Sequence, residues 1–216
     1  MKILSVSLII VIGLVWLRFI RWYFASRVER PTTDIVANYG DIQIRTMPKQ
    51  IYASVTVNGT ESQAPSKAFG ILGGFIFGNN TTKSSVSMTA PVITQKKSET
   101  ISMTAPVLSQ KTPTWSYEVS FLMPKEYTLD TLPIPNDKRI SITTVQAKEI
   151  AVITFARYAT QDTINTYRTK LLDWLKALNI STRGESVVAQ YNDPWTPPTM
   201  RTNEIWIEID KNSLPK

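Results

Sequence analysis

The chain has 216 residues, of which 43% are hydrophobic and 19% charged, and a formal net charge of +7. That is the make-up of one globular domain of ordinary size or two small ones. It contains no cysteine and no histidine, which excludes disulfides, thiolate nucleophiles, Cys-based metal sites, a Ser-His-Asp triad and any metal ligation by imidazole.

Positive charge concentrates at the N-terminus, where Lys2, Arg18, Arg21, Arg27 and Arg30 stand against Glu29. This points to a membrane surface rather than to nucleic acid, for which the sequence offers no motif and no basic stripe. Residues 3–17 are apolar apart from Ser5, Ser7 and Gly13, and the apolar run resumes after Arg18. As a helix, residues 3–24 would span about 33 Å, against a hydrocarbon core of about 30 Å. Arg18 and Arg21 would snorkel, and Trp16, Trp22 and Tyr23 would sit at the interface. A cleaved signal peptide is the competing reading, but Trp22, Tyr23 and Phe24 fill the zone where small residues are expected. We expect residues 1–30 to be an uncleaved membrane anchor and 31–216 to be the domain. The domain is expected on the cytoplasmic side, since positive charge is heavier after the span, with the other side left open.

After a short linker at Arg30-Pro31-Thr32-Thr33, strands are expected over 42–46 and 51–57, with residues 47–50 as the turn. A helix is expected over 61–78, stopped by Gly78-Asn79-Asn80. Strands follow over 86–94 and 101–108, each kinked by a proline, and over 116–123. Past a Pro-rich connection, strands are expected over 140–145 and 150–155. A helix over 162–179 carries the apolar row Ile164, Leu171, Leu175 and Leu178, with Tyr167 and Trp174 beside it. The last strands are 186–190 and 204–209. The order strands, helix, strands occurs twice and argues for α+β with two similar halves. Ser87-Met88-Thr89-Ala90-Pro91-Val92 recurs as Ser102-Met103-Thr104-Ala105-Pro106-Val107. Two edge or bulged strands explain the repeat, because proline removes a ladder donor; a ligand role is the alternative.

On the first helix, Ala64, Ala68, Ile71, Leu72 and Phe75 share a face, while Pro65, Phe69, Gly73 and Ile76 lie about 100° round. Either the helix is buried on two sides, or its second apolar face lines a ligand cleft where glycines let a flat ring approach. The loop 191–201 would be either the opposite wall or a surface loop pinned by prolines. As a wall, Trp195 and Met200 offer stacking and soft contact, and Arg201 a fork for a carboxylate. Met88, Met103 and Tyr191 are the side chains able to ligate iron, though Met in a strand is usually core. Asn203-Glu204 reads as a strand-edge hydrogen-bonding pair.

Several pieces, in this order, resemble the SOUL heme-binding family. They are the doubled Met-Thr-Ala-Pro-Val, Tyr39-Gly40-Asp41-Ile42-Gln43-Ile44-Arg45, residues 68–80, Tyr117-Glu118-Val119-Ser120-Phe121-Leu122-Met123-Pro124, and Arg201-Thr202-Asn203-Glu204-Ile205-Trp206. The resemblance covers roughly residues 34–209. It implies a distorted antiparallel β-barrel from two similar halves, each with one packed helix. It also implies non-covalent binding of heme or another tetrapyrrole in an apolar cleft between the first helix and the loop before the last strand. On this chain that cleft maps to Phe69, Leu72, Gly73, Ile76, Trp195, Met200 and Arg201. The chain has no histidine to serve as the axial ligand proposed for some members. Where other members carry basic residues toward the propionates, it has Gly73, Gly74 and the neighbourhood of Pro197. The expectation is a membrane-tethered binding protein for a tetrapyrrole or another flat apolar ligand. A protein-interaction module that has lost its ligand, and a carboxylate-based hydrolase in the same cleft, are the alternatives.

Overall fold

The computed structural model describes residues 29–83, 98–114, 116–193 and 195–214. The expected anchor helix within residues 1–30, the expected strand over 86–94 and the first Met-Thr-Ala-Pro-Val copy fall outside the described residues, apart from Glu29 and Arg30. Among the described residues, no helix is long and apolar enough to cross a membrane.

Nine strands form one antiparallel sheet: β1 (Asp34–Tyr39), β2 (Ile42–Met47), β3 (Gln50–Asn58), β5 (Val107–Lys111), β6 (Ser116–Leu122), β8 (Ser141–Val145), β9 (Lys148–Phe155), β10 (Thr182–Gln190) and β11 (Asn203–Ile209). Two short strands, β4 (Asn80–Thr81) and β7 (Ile134–Pro135), pair separately. The helices are α1 (Ala64–Ile76) and α2 (Gln161–Ala177). The order across the sheet is β1-β2-β9-β11-β10-β5-β6-β3-β8. The sheet is open, with β1 and β8 as its edges, which corrects the expected distorted barrel.

The pairing explains both the duplication and the open form. Each half runs strand, strand, helix, strand, strand: β2-β3-α1-β5-β6 and β8-β9-α2-β10-β11. Within the halves, β3 pairs with β6 and β6 with β5, as β9 pairs with β11 and β11 with β10. The first strand of each half crosses over: β2 pairs with β9, and β8 with β3. Thus residues 47–50 do not make the hairpin turn that the sequence suggests. They carry the chain from one half to the other. A flat sheet would set strands six places apart at roughly 29 Å, whereas Pro48 and Lys49 bridge at most about 11 Å. The sheet must therefore be strongly rolled, and it stops short of closure.

Both helices lie on the outer face of this roll. Ala64, Ala68, Leu72, Phe75 and Ile76 of α1 pack on Ala53, Val55, Val119 and Phe121. Ile164, Leu171 and Leu175 of α2 pack on Ile153, Ile205 and Ile207. Met47, Tyr52, Leu108, Leu122, Ile150, Val152, Ala189 and Trp206 form a third cluster, and the strand alternation places it on the inner face. Each helix is closed by the same C-terminal hydrogen-bond pair, with a residue at positive φ just past the end. In α1, Asn79 N donates to Gly74 O (2.8 Å) and Gly78 N to Phe75 O (3.4 Å), with Gly78 at φ 113°. In α2, Ile180 N donates to Leu175 O (2.9 Å) and Asn179 N to Lys176 O (3.0 Å), with Asn179 at φ 56°. Pro65 in the first turn of α1 and Thr160, whose hydroxyl accepts from Thr163 N (3.2 Å), start the helices. The second Met-Thr-Ala-Pro-Val copy is not strand until its last residue. Ala105-Pro106 is cis, Thr104 bonds the Leu122 carbonyl, and β5 begins at Val107.

Candidate functional site

The expected cleft residues on α1 divide by depth. Leu72 and Ile76 are fully buried against the sheet. Phe69 is 41% exposed and meets Phe121 edge-on at 5.7 Å. Gly73 lies between Phe69 and Phe77; a methyl there would sit 3.6 Å from the Phe69 ring and 3.9 Å from the Phe77 ring. Phe77, not foreseen from the sequence, is 59% exposed. Phe69, Gly73 and Phe77 are spaced by four on one side of the helix and its C-cap; Gly73 is buried beneath the two exposed rings.

The loop after β10 is held by the connection between β9 and α2 and by its own Asn192. Arg157 N donates to Pro198 O (2.9 Å), Asn203 Nδ2 to Arg157 O (2.9 Å), and Thr202 N to Asn192 Oδ1 (2.6 Å). Arg201 donates from Nε to Thr196 O (2.9 Å) and lays its guanidinium over the Tyr158 ring at 4.7 Å. Trp195 is 78% exposed, and Met200 more than half. The structure thus groups Trp195, Met200 and Arg201 together and places Phe69 and Gly73 on a separate element. The segment 101–106 joins the two regions: Ile101 N donates to Ile76 O (2.7 Å), and β5, which follows, pairs Val107 with Gln190.

A polar site that the sequence did not disclose lies inside the roll. β11 is flanked by β9 and β10, so Glu204 is not at a strand edge. Its side chain is almost fully buried and receives Tyr191 Oη (2.6 Å) and Trp206 Nε1 (2.6 Å) on one oxygen. Arg45 Nη1 (3.1 Å) and Thr154 Oγ1 (3.5 Å) reach the other. All four partners are donors, so the carboxylate oxygens are occupied. Burial, then the Glu204 charge, push the Tyr191 phenol well above its usual range. Tyr191 is therefore committed to a carboxylate, and Met103 packs against the α1 cluster; neither is set to bind iron. These residues come from β2, β9, β11 and the loop beyond β10; Glu204 and Trp206 are two apart on β11, and no local spacing connects the others.

A second charge cluster ties the halves together. Glu61, buried just before α1, accepts from Arg168 Nη2 on α2 at 2.5 and 2.6 Å and from Gln161 Nε2 at 3.4 Å. Arg168 also donates to Ser186 Oγ (2.6 Å). Beside this pair is a polar cavity of about 240 Å³, lined among others by Lys111, Tyr117 and Asn165. Another, of about 170 Å³, opens on the inner face over Ile150, Val187 and Trp206, where a bulge in β10 interrupts its pairing with β11. Both are smaller than the ~300–1,000 Å³ of an enclosed small-molecule site. An apolar tetrapyrrole fits neither.

The SOUL heme-binding protein family matches residues 28–100 and 95–208. No curated protein matches in sequence. Among solved structures, the chain is similar to the C-terminal domain of EcmrR, at 11% identity and TM-score 0.55, over 79% of this chain and 97% of that one. It is also similar to a hydrolase from Listeria innocua, at 10% identity and TM-score 0.51, over 81% and 94%. A third likeness is to EcmrR in its DNA complex, at 11% identity and TM-score 0.53, over 79% and 57%. At such identities the structural likenesses carry the fold alone. With the family matched across nearly all of the described domain, the chain belongs to the SOUL heme-binding protein family.

Proposed function

We propose that this chain is a membrane-tethered binding protein for heme, another tetrapyrrole or a similarly flat apolar molecule, held non-covalently and without a histidine ligand. The observation that carries the reading is the row Phe69, Gly73 and Phe77. The two exposed rings close over the buried, side-chain-free Gly73, giving an apolar strip about 12 Å long on the helix and its C-cap. A flat ring lies on such a strip by stacking and dispersion. Leu72 and Ile76 fix the helix to the sheet beneath. Trp195, Met200 and Arg201 supply the second wall, with Arg201 exchanging its bond to the Thr196 carbonyl for a ligand carboxylate. A bound tetrapyrrole would bring its own absorbance and, with iron, redox chemistry; the residues of this chain contribute binding and orientation. Residues 3–24 would keep the carrier at a membrane.

A protein-interaction module is the second reading, favoured by the small size of the two cavities. A carboxylate-based hydrolase draws less support, because Glu204 has its oxygens filled by four donors. Titration of the full chain with heme and with protoporphyrin, followed by absorbance and tryptophan fluorescence, separates these readings. Saturable binding supports the carrier. Its absence turns the outward face of α1 over to a protein partner.

A further inference from the structure

Glu29 bridges to Thr104, and its carbonyl accepts from Ala105 N at 2.9 Å. Arg30 places its guanidinium 5.1 Å above the Tyr191 ring. Thr104 and Ala105 come just before β5 and Tyr191 just after β10, and Val107 pairs with Gln190. The N-terminal segment therefore joins the domain at the root of the loop 191–202. Trp195, four residues beyond Tyr191, is within about 14 Å along the chain.

That loop and the neighbouring turn 156–160 expose a cluster suited to a lipid headgroup layer. Trp195 is 78% exposed, Met200 54% and Tyr158 53%. The two segments are stitched by the Arg157 to Pro198 backbone bond and by Arg201 over Tyr158. Arg30, Arg157 and Arg201 border the cluster, against Glu29 and Asp193. Tryptophan and tyrosine flanked by arginine are the side chains that settle at a bilayer interface. Only residues 25–28 separate the apolar run ending at Phe24 from Glu29, so the attachment point would be within about 17 Å of the end of that run.

We propose that the domain docks on the bilayer that its own N-terminal segment enters, through Trp195, Met200 and Tyr158. This rests on the proposed tether at residues 3–24. The occupant of the patch is the lipid interface itself, because a domain held so close to the membrane by a short connection presents this end to it.

The absence of cysteine makes a direct test available. Thr199→Cys, on the exposed tip beside Trp195, and Lys211→Cys, beyond the other end of β11, each give a single labelling site. The full chain carrying an environment-sensitive fluorophore at either site is reconstituted into vesicles of phosphatidylcholine and phosphatidylglycerol containing doxyl-labelled lipid. Docking predicts blue-shifted, lipid-quenched emission at position 199 and water-like emission at position 211. Adding Trp195→Asp should return position 199 toward water while the chain still floats with the vesicles. A floating chain with water-like emission at 199 overturns docking alone and leaves the loop as the second wall proposed for the ligand. A chain that does not float overturns the tether, and docking with it.

Discussion

Glu204 and the donors around it set the terms at the scale of single residues. A buried carboxylate is tolerable only while charged and hydrogen-bonding partners surround it. Removing it leaves Arg45, Tyr191 and Trp206 with unmet donors in the interior of the roll. Glu204→Ala should therefore destabilise by about 3–5 kcal/mol, and Glu204→Gln by less, as read from urea denaturation. A second test concerns alkaline pH. Burial pushes the Tyr52 phenol up to about 12, whereas an unfolded chain titrates near 10. The folded state holds this proton more tightly. Stability is thus full below about pH 10 and falls as pH rises through 12, by about 3 kcal/mol for this one group. Tyr127 and Tyr191 are raised as well and add to the same window. Tyr52→Phe should flatten the pH dependence by about one proton in denaturation curves measured between pH 9 and 12. The sequence marked Trp195, Met200 and Arg201 because Pro-pinned aromatic loops are conspicuous. It read Glu204 as part of a strand-edge pair and missed its buried site, because its partners lie up to 159 positions away at Arg45.

Among the elements, α1 shows how far periodicity reads. Its helical run, its stop at Gly78 and its two apolar faces are all present in the sequence. Depth is not, since Leu72 and Ile76 look toward the sheet while Phe69 looks out. The distinction can be measured. Leu72→Ala should cost about 2–5 kcal/mol of stability by leaving a cavity. Phe69→Asp should cost about 1 kcal/mol, because its ring is already partly in water. Strand β5 marks the opposite limit. Proline was read as a kink within a strand over 101–108, but the cis Ala105-Pro106 bond and the Thr104 contact put residues 101–106 outside the ladder. Strand β1 escaped notice because it is an exposed edge with no clean alternation to betray it.

For the whole molecule, the sequence carried the duplication but not the exchange. Two halves with one helix each are visible as a pattern. That β2 belongs to β9 and β8 to β3 is a tertiary choice, made by burying the inner cluster of Met47, Tyr52, Ile150 and Trp206. The same exchange leaves the sheet rolled and open where a distorted barrel was expected. The Glu61–Arg168 pair then clips one helix start to the other helix. Glu61→Ala should destabilise by about 3 kcal/mol, and Arg168→Ala added to it should cost little more, in a double-mutant cycle on thermal or urea unfolding.

The central claim is that the outward row of α1 is a ligand surface. The most direct test is the heme and protoporphyrin titration carried out on the full chain and on Phe69→Asp side by side, with urea midpoints measured on both. The claim predicts saturable binding to the native chain and at least a tenfold weaker affinity for the variant, with the two folds of similar stability. Equal binding by both chains, or no saturable binding by the native chain, would contradict it.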